Sequence, residues 1–183
     1  LGEYPKADTE LARARSLLPP SSVDDLAQVH LRQGALRLAA EDLDGLQRKL
    51  DESDAWLRVH ASSLAEPEAF AAQLQMSRAN LLAHRERYDE ATTLARGAWQ
   101  RMRKARGDDD KHTRALLVEY ADILGSSGEF DTAATLTKIV ADGIRRAKPT
   151  NEFALATALH NQAVFLSRAG KMEPAIATEL QAL

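Results

Sequence analysis

Apolar residues recur along much of this chain at the three- and four-residue spacing that places them on one face of an α-helix. A clear stripe runs from Phe70 through Leu74 and Ala79 to Leu82. The β-branched residues, such as Val140, fall within the same helical periodicity, so the pattern predicts no strands. We therefore expect an all-α protein.

A short phrase of charged and small residues recurs at a fixed distance, at Arg87–Ala91, Glu129–Ala133 and Lys171–Ala175, and its final alanines lie 42 residues apart each time. Twelve residues before each of these alanines stands another alanine, followed three residues later by a leucine: Ala79 and Leu82, Ala121 and Leu124, Ala163 and Leu166. A period of this length indicates stacked structural repeats. Small residues at two fixed points allow two helices of each repeat to approach closely.

This pattern resembles the tetratricopeptide repeat, in the longer form seen in kinesin light chains, and residues 156–166 (ATALHNQAVFL) carry the resemblance best. The resemblance implies a right-handed superhelix of antiparallel helix pairs, with about nine helices at the observed repeat length. It also implies an interaction module that binds a protein or peptide. It does not identify the ligand, because members of this family bind many unrelated partners.

We expect one solenoid over residues 1–183, since stacked repeats form a single continuous core. It divides into the second helix of an incomplete repeat, a degenerate repeat and three further repeats: 1–18, 23–61, 67–107, 111–148 and 151–183. The start within a repeat, at Leu1, and the short final helix favour a piece of a larger protein. Richness in Ala, Arg and Leu suggests a bacterial source, and the resemblance suggests a regulatory parent.

The degenerate repeat aligns with its successor at a spacing of 45 residues, which places Gly34 against Ala79, although Arg37 occupies a leucine position. Turns between paired helices fall at Gly128 and Gly170, because glycine tolerates the left-handed conformation that follows many helices. Glu86 occupies the equivalent position. We expect its turn to be looser or capped differently.

Composition narrows the function classes. Charged residues make up 28% of the chain and aromatic residues 5%, which suits closely packed Ala- and Leu-rich helices. The absence of cysteine excludes disulfides, thiolate zinc sites and cysteine nucleophiles, and fits a cytoplasmic protein. A net charge of −3 argues against a nucleic-acid-binding field over the whole domain. No segment has the length and apolarity of a membrane span.

No catalytic motif is present. The five histidines include no pair three or four residues apart on one helix, and Asp108–Asp110 lacks the spacing of a calcium loop. These acids are instead expected to start a helix. We predict no cofactor, no metal and no enzymatic activity in this segment.

The resemblance implies that the first helix of each repeat lines a groove. Asn161 matches a family asparagine that holds a peptide backbone, and Glu119 and Asp122 argue against a clamp for a terminal carboxylate. Amide contacts and a few apolar anchors suit an extended or helical peptide. The groove residues carried over from the family are Gln73, Met76, Asn80, His84, Val118, Asp122, His160, Asn161, Val164 and Arg168.

Two alternative functions remain open. One is a domain that senses a peptide or metabolite and controls an attached effector, such as a kinase or transcriptional regulator. The other is a self-assembly scaffold that uses the ends of the stack, where Ile176 and Leu180 are expected to be partly exposed.

A second surface is basic and also repeats, since 42 residues separate the two halves of the set Arg103, Lys104, Arg106, Arg145, Arg146 and Lys148. Cations at helix C-termini are stabilised by the helix dipole by about 0.3–1 kcal/mol each. The neighbouring Asp108–Asp110 weaken the local field. We therefore prefer a structural role for this basic edge over a site for nucleic acid or phosphate.

Overall fold

The computed structural model describes residues 3–147 and 150–182, and within these ranges the chain forms nine α-helices, one 3₁₀ turn and no strand. This confirms the all-α prediction. No described helix has the length and hydropathy needed to cross a membrane. The helices are α1 Tyr4–Leu17, α2 Val23–Ala39, α3 Leu43–His60, α4 Pro67–His84, α5 Tyr88–Arg106, α6 Lys111–Ser126, α7 Phe130–Arg146, α8 Glu152–Arg168 and α9 Met172–Glu179, with the 3₁₀ turn at Ala61–Ser63.

Each helix packs on the next in the chain, and the first helices of successive pairs also touch, α2 against α4 and α4 against α6. The first helices α2, α4 and α6 therefore form one row, and α8 continues it, since Phe165 of α8 lies against Gly125 of α6. The second helices α3, α5 and α7 each pack on the first helices before and after them. This succession of antiparallel pairs is a helical solenoid, in which each unit contacts its neighbours.

The small residues of the repeat lie at the helix contacts, as predicted. Ala79, Ala91, Ala121 and Ala133 are completely buried, and Ala163 is 5% exposed. The larger core cluster runs from α4 to α8, and a smaller one, which includes Leu46, joins α2, α3 and α4. Close approach of helices at alanine positions thus builds a nearly continuous interior.

The four turns between paired helices share one backbone conformation. Glu41, Glu86, Gly128 and Gly170 have φ angles of 56°, 59°, 89° and 77°. After each of them, the next N–H donates to the carbonyl five residues earlier, as from Arg87 to Leu82 at 2.9 Å. The expectation of a looser or differently capped turn at Glu86 is therefore wrong, because these backbone hydrogen bonds hold a non-glycine residue in the left-handed region. The same turn at Glu41 gives the degenerate repeat the register of its successors.

Side-chain caps mark the starts of α6 and α8, the two first helices in the C-terminal half of the row. The Asp110 carboxylate accepts from the backbone N–H of His112 and Thr113 at 2.8 and 3.4 Å, as expected of this acidic run. Asn151 likewise accepts from the Ala154 N–H at 3.0 Å. These caps fix where α6 and α8 begin.

The last helix and the residue that follows it expose the apolar side chains that the sequence predicted. Ile176 is 56% exposed and Leu180 is 66% exposed. A neighbouring cavity, lined by residues of α8 and α9 that include Val164, opens on the same end of the stack. The described part of the chain therefore leaves this face uncovered.

Candidate functional site

The row of first helices carries three cavities, and together they form what we call the inner groove. The α4–α6 pocket, of about 240 Å³, also touches α2. The apolar α6–α8 pocket, of about 430 Å³, has α7 at its base. The polar α6–α8 pocket, of about 280 Å³, lies further along the same two helices.

Gln73, Met76 and Asn80 line the α4–α6 pocket, as the sequence predicted for one surface. The Asn80 amide donates to Glu119 at 2.7 Å, so one of its donors is already used within the chain. Met76 is only 1% exposed and belongs to the core. A partner could therefore touch very little of its side chain, and its role as a contact residue stays a prediction.

Glu119 and Asp122 make the middle of the groove acidic. Desolvation raises the pKa of Glu119, against the opposing effect of the Asn80 hydrogen bond, and the nearby Asp122 raises it further. Desolvation by the groove walls also raises the pKa of Asp122, although its side chain remains open to solvent. Neither carboxylate forms an ion pair with a described residue. The middle of the inner groove therefore presents negative charge to which hydrogen-bond donors or cations of a partner could bind.

The apolar α6–α8 pocket is lined mainly by hydrocarbon. Ile144 and Val140 lie in its lining and are buried, while Val118 contributes from α6 and Asn161 from α8. Phe153, in the first turn of α8, is 84% exposed beside this cavity. Burial of such an aromatic ring by a partner is favourable by roughly 1.5–3 kcal/mol. This is the part of the groove best suited to an apolar side chain.

Asn161 also lines the polar α6–α8 pocket, together with Asp122, Val164 and Arg168. The Arg168 guanidinium lies over the Phe130 ring, 5.9 Å from its centroid. The predicted residues Val118, Asp122, Asn161, Val164 and Arg168 are thus brought to two adjoining cavities, joined at Asn161.

The two predicted histidines lie away from these cavities. His160 Nδ1 is 3.0 Å from the Glu179 carboxylate, so its ring faces α9 and not the groove. The rotation of α8 turns this position towards the second helix of the pair, so His160 is not among the residues that line the three cavities, and its role in binding stays a prediction. His84 is exposed as the last residue of α4.

Phe153 was missed by the sequence reasoning. It stands one helical turn before Thr157, which also lines the apolar α6–α8 pocket, so the same face could have been extended to it. Lys111 and Arg114, from the first turn of α6, also belong to this pocket and had no groove role in the prediction.

Each described arginine of the basic edge forms an ion pair with an acidic side chain. Arg103 pairs with Asp108, Arg106 with Glu66, Arg145 with Asp142 and Arg146 with Asp109. Lys148 lies outside the described residues. Among the residues that are described, no group of three or more His, Cys, Asp or Glu side chains could hold a metal ion.

No protein-family model matches this chain, and no curated protein sequence matches it. Solved structures do match, among them the crystal structure of BtubC (BKLC) from P. vanneervenii, with a TM-score of 0.75 over 99% of this chain and 72% of that one. The two sequences are 14% identical, so the likeness concerns the fold. The chain therefore has a tetratricopeptide-like fold, a solenoid of helix pairs.

Proposed function

We propose that this chain is a non-catalytic helical-repeat module that binds a peptide segment of a partner protein in the inner groove. The observation that carries the proposal is the apolar α6–α8 pocket, with the exposed Phe153 ring beside it. Most lone apolar residues on a protein surface need no explanation, but here the ring borders a cavity large enough for a side chain.

The chemistry of the groove suggests how a peptide would lie. An apolar side chain of the partner would fill the apolar α6–α8 pocket against Phe153 and Val118. The Asn161 amide, between the two α6–α8 pockets, supplies both a donor and an acceptor for a peptide group. Donors on the partner would then meet Glu119 and Asp122 further along the groove. This order of contacts gives the peptide a direction.

The test starts from peptides selected on a display library against the chain, with affinity measured by calorimetry. Phe153→Ser and Asn161→Ala should each weaken a selected peptide by about fivefold or more, from the lost burial and hydrogen bonds. His160→Ala is the matched control, because it lies next to Asn161 but faces α9, and it should change affinity little. A peptide that is weakened by His160→Ala and unaffected by the other two variants would locate binding elsewhere.

A second candidate function, self-association, is favoured by the exposed apolar residues of α9 and by Leu180, which follows it directly. Met172, Ile176 and Leu180 are each more than half exposed, at 56%, 56% and 66%. We propose a second copy of the chain as their partner. Sedimentation velocity up to about 100 μM should reveal a dimer whose population depends on concentration. Ile176→Ser with Leu180→Ser should abolish it, and a monomer throughout that range would contradict this candidate.

A further inference from the structure

A separate cavity of about 340 Å³ lies between α5, α6 and α7. Arg103, Arg114 and Arg146 each reach it from a different helix, and we call it the arginine pocket. Asp108 also belongs to its lining. Arg114 lines both this pocket and the apolar α6–α8 pocket.

Two of these arginines converge over Gly143. A methyl group placed on Gly143 would lie 3.1 Å from Arg114 Cδ and 3.8 Å from Arg146 Nη2. Because Gly143 has no side chain, the side chains of Arg114 and Arg146 can both lie against the same short stretch of α7. Arg114 donates to the Asp109 carbonyl and the Arg146 guanidinium lies near the Asp109 carboxylate, so both positive charges lie beside one residue, where an anion is favoured.

The anions now near the arginine pocket come from the loop between α5 and α6. Arg103 donates through Nη2 to Asp108 at 3.1 Å, and Arg146 Nη2 lies 3.7 Å from Asp109 Oδ1. Arg114 donates to the backbone carbonyl of Asp109. Both aspartates are highly exposed, with side-chain exposures of 62% and 81%. Ion pairs this open to water are worth little, so a ligand could displace them.

The rest of the lining offers one hydrogen-bonding group and an apolar surface. Thr113 is 1% exposed, and its hydroxyl has no hydrogen-bond partner within the described part of the chain. An unpaired buried hydroxyl is costly, so a ligand oxygen that reached it would be favoured. Trp99 presents its ring near Arg103, whose guanidinium carbon lies 5.5 Å from the ring centroid, and Ile139 is half exposed.

We propose that the arginine pocket binds a small organic anion, a phosphate or carboxylate group carried on an aromatic or apolar body, and that Asp108 and Asp109 are internal anions that this ligand displaces. Guanidinium groups match the geometry of both anionic groups through paired N–H donors. Trp99 and Ile139 would cover the apolar body. This site adjoins the inner groove, with which it shares Arg114, but its ligand differs from the peptide proposed for the groove.

The test uses four probes: phenyl phosphate, benzoate, phenol and inorganic phosphate. Binding is followed by ¹⁵N NMR, through the Trp99 indole N–H and the Gly143 amide. Phenyl phosphate should bind saturably with a Kd on the order of 1 mM, a reasonable affinity for so small a ligand. Benzoate should bind more weakly because it carries less charge. Phenol and inorganic phosphate should each bind at least about tenfold more weakly than phenyl phosphate, since each lacks one half of the ligand.

Three variants separate a binding site from a merely structural cluster. Arg146→Gln should weaken phenyl phosphate by about tenfold, whereas the control Arg145→Gln, next to it but paired with Asp142, should leave the affinity unchanged. Asp108→Asn with Asp109→Asn should tighten binding by about threefold or more, because the internal competitors are gone. Circular dichroism checks that each variant folds.

Several results would overturn the assignment. If phenyl phosphate causes no saturable NMR shift up to about 10 mM, the pocket is not a binding site for it, since fragments of this size bind a suitable pocket within that range. Equal affinity for inorganic phosphate would show that the apolar lining plays no part. Unchanged or weaker binding by the Asp108→Asn, Asp109→Asn variant would show that these acids are not competitors.

Discussion

Gly125 illustrates, at the residue scale, how close packing between the first helices α6 and α8 limits side-chain size. A methyl group there would lie 2.3 Å from Cε1 of the buried Phe165 ring. Alanine is the better helix former by about 1 kcal/mol, but the rigid ring has little room to move. We expect Gly125→Ala to lower the free energy of unfolding by about 1–3 kcal/mol, measured by urea denaturation.

The control for this change is Gly34→Ala. Gly34 is also buried in an inner helix, but a methyl group there would meet Leu46 Cδ1 at 3.8 Å, an ordinary contact. Here helix propensity should dominate, and the free energy of unfolding should rise by about 0.5–1 kcal/mol. If Gly125→Ala stabilises the protein as Gly34→Ala does, the close contact with Phe165 is not a constraint.

His30 should make stability depend on pH. Its Nδ1 lies 2.9 Å from Ser53 Oγ, and that hydroxyl donates to the Lys49 carbonyl at 2.7 Å, so Nδ1 carries the ring proton. Burial, with a smaller contribution from the Lys49 charge, lowers the pKa of His30 from 6.5 to about 4. Between these values the unfolded chain takes up a proton that the folded chain does not.

The free energy of unfolding should therefore be highest with respect to His30 above about pH 6.5 and should fall as pH falls towards about 4, by up to about 3 kcal/mol. His30→Asn keeps a donor for Ser53 but does not titrate. Denaturation at a series of pH values should show a smaller loss in this variant than in the parent chain. Equal losses in both proteins would assign the pH dependence to other groups.

At the scale of helices and turns, the left-handed residues Glu41 and Glu86 occupy positions that favour glycine. A side chain in this conformation costs about 1–2 kcal/mol. Because Glu86 is exposed, Glu86→Gly removes little else. We expect it to raise the free energy of unfolding by about 0.5–1 kcal/mol, a part of the strain being offset by the greater freedom of glycine in the unfolded chain.

The reciprocal change at the equivalent turn provides the control. Gly128→Ala places a side chain at φ 89°, with no neighbouring atom in the way, so strain alone should act. It should destabilise the protein by about 1 kcal/mol. Opposite signs for the two variants in urea denaturation would support a common turn, and the same sign would refute it.

Stability should vary along the whole solenoid, because each unit contacts only its neighbours. The larger core cluster spans α4 to α8, whereas α1 has no buried residue and is attached partly by the ion pairs Asp8–Arg37 at 2.6 Å and Arg15–Glu52 at 2.7 Å. In hydrogen exchange followed by mass spectrometry, α1 should lose protection first and α5 to α7 last.

Salt provides a second variable for this gradient. Ion pairs between exposed groups weaken as ionic strength rises, so about 0.5 M NaCl should accelerate exchange in α1 more than in α5. Protection of α1 equal to that of α5, or no effect of salt on either helix, would show that α1 is held by something other than these pairs.

The sequence alone determined the features that depend on local chemistry and on spacing. Helical periodicity, the 42-residue period and the recurring alanines led to an all-α solenoid with Ala79, Ala121 and Ala133 at buried contacts. The helix start at Asp110 followed from the side chain's ability to accept backbone N–H bonds. These properties are carried by a residue and its near neighbours in the chain, so one sequence is enough to find them.

Only the tertiary structure decided which side chains the groove presents. Asn161 lines two cavities, whereas the adjacent residue His160, about 100° away around the axis of α8, faces Glu179. The same holds for the burial of Met76 and for the exposed position of Phe153. Convergence of Arg114 and Arg146 over Gly143 likewise joins residues from two helices. Such relations depend on how neighbouring helices are rotated and spaced, which the periodicity of a single helix does not specify.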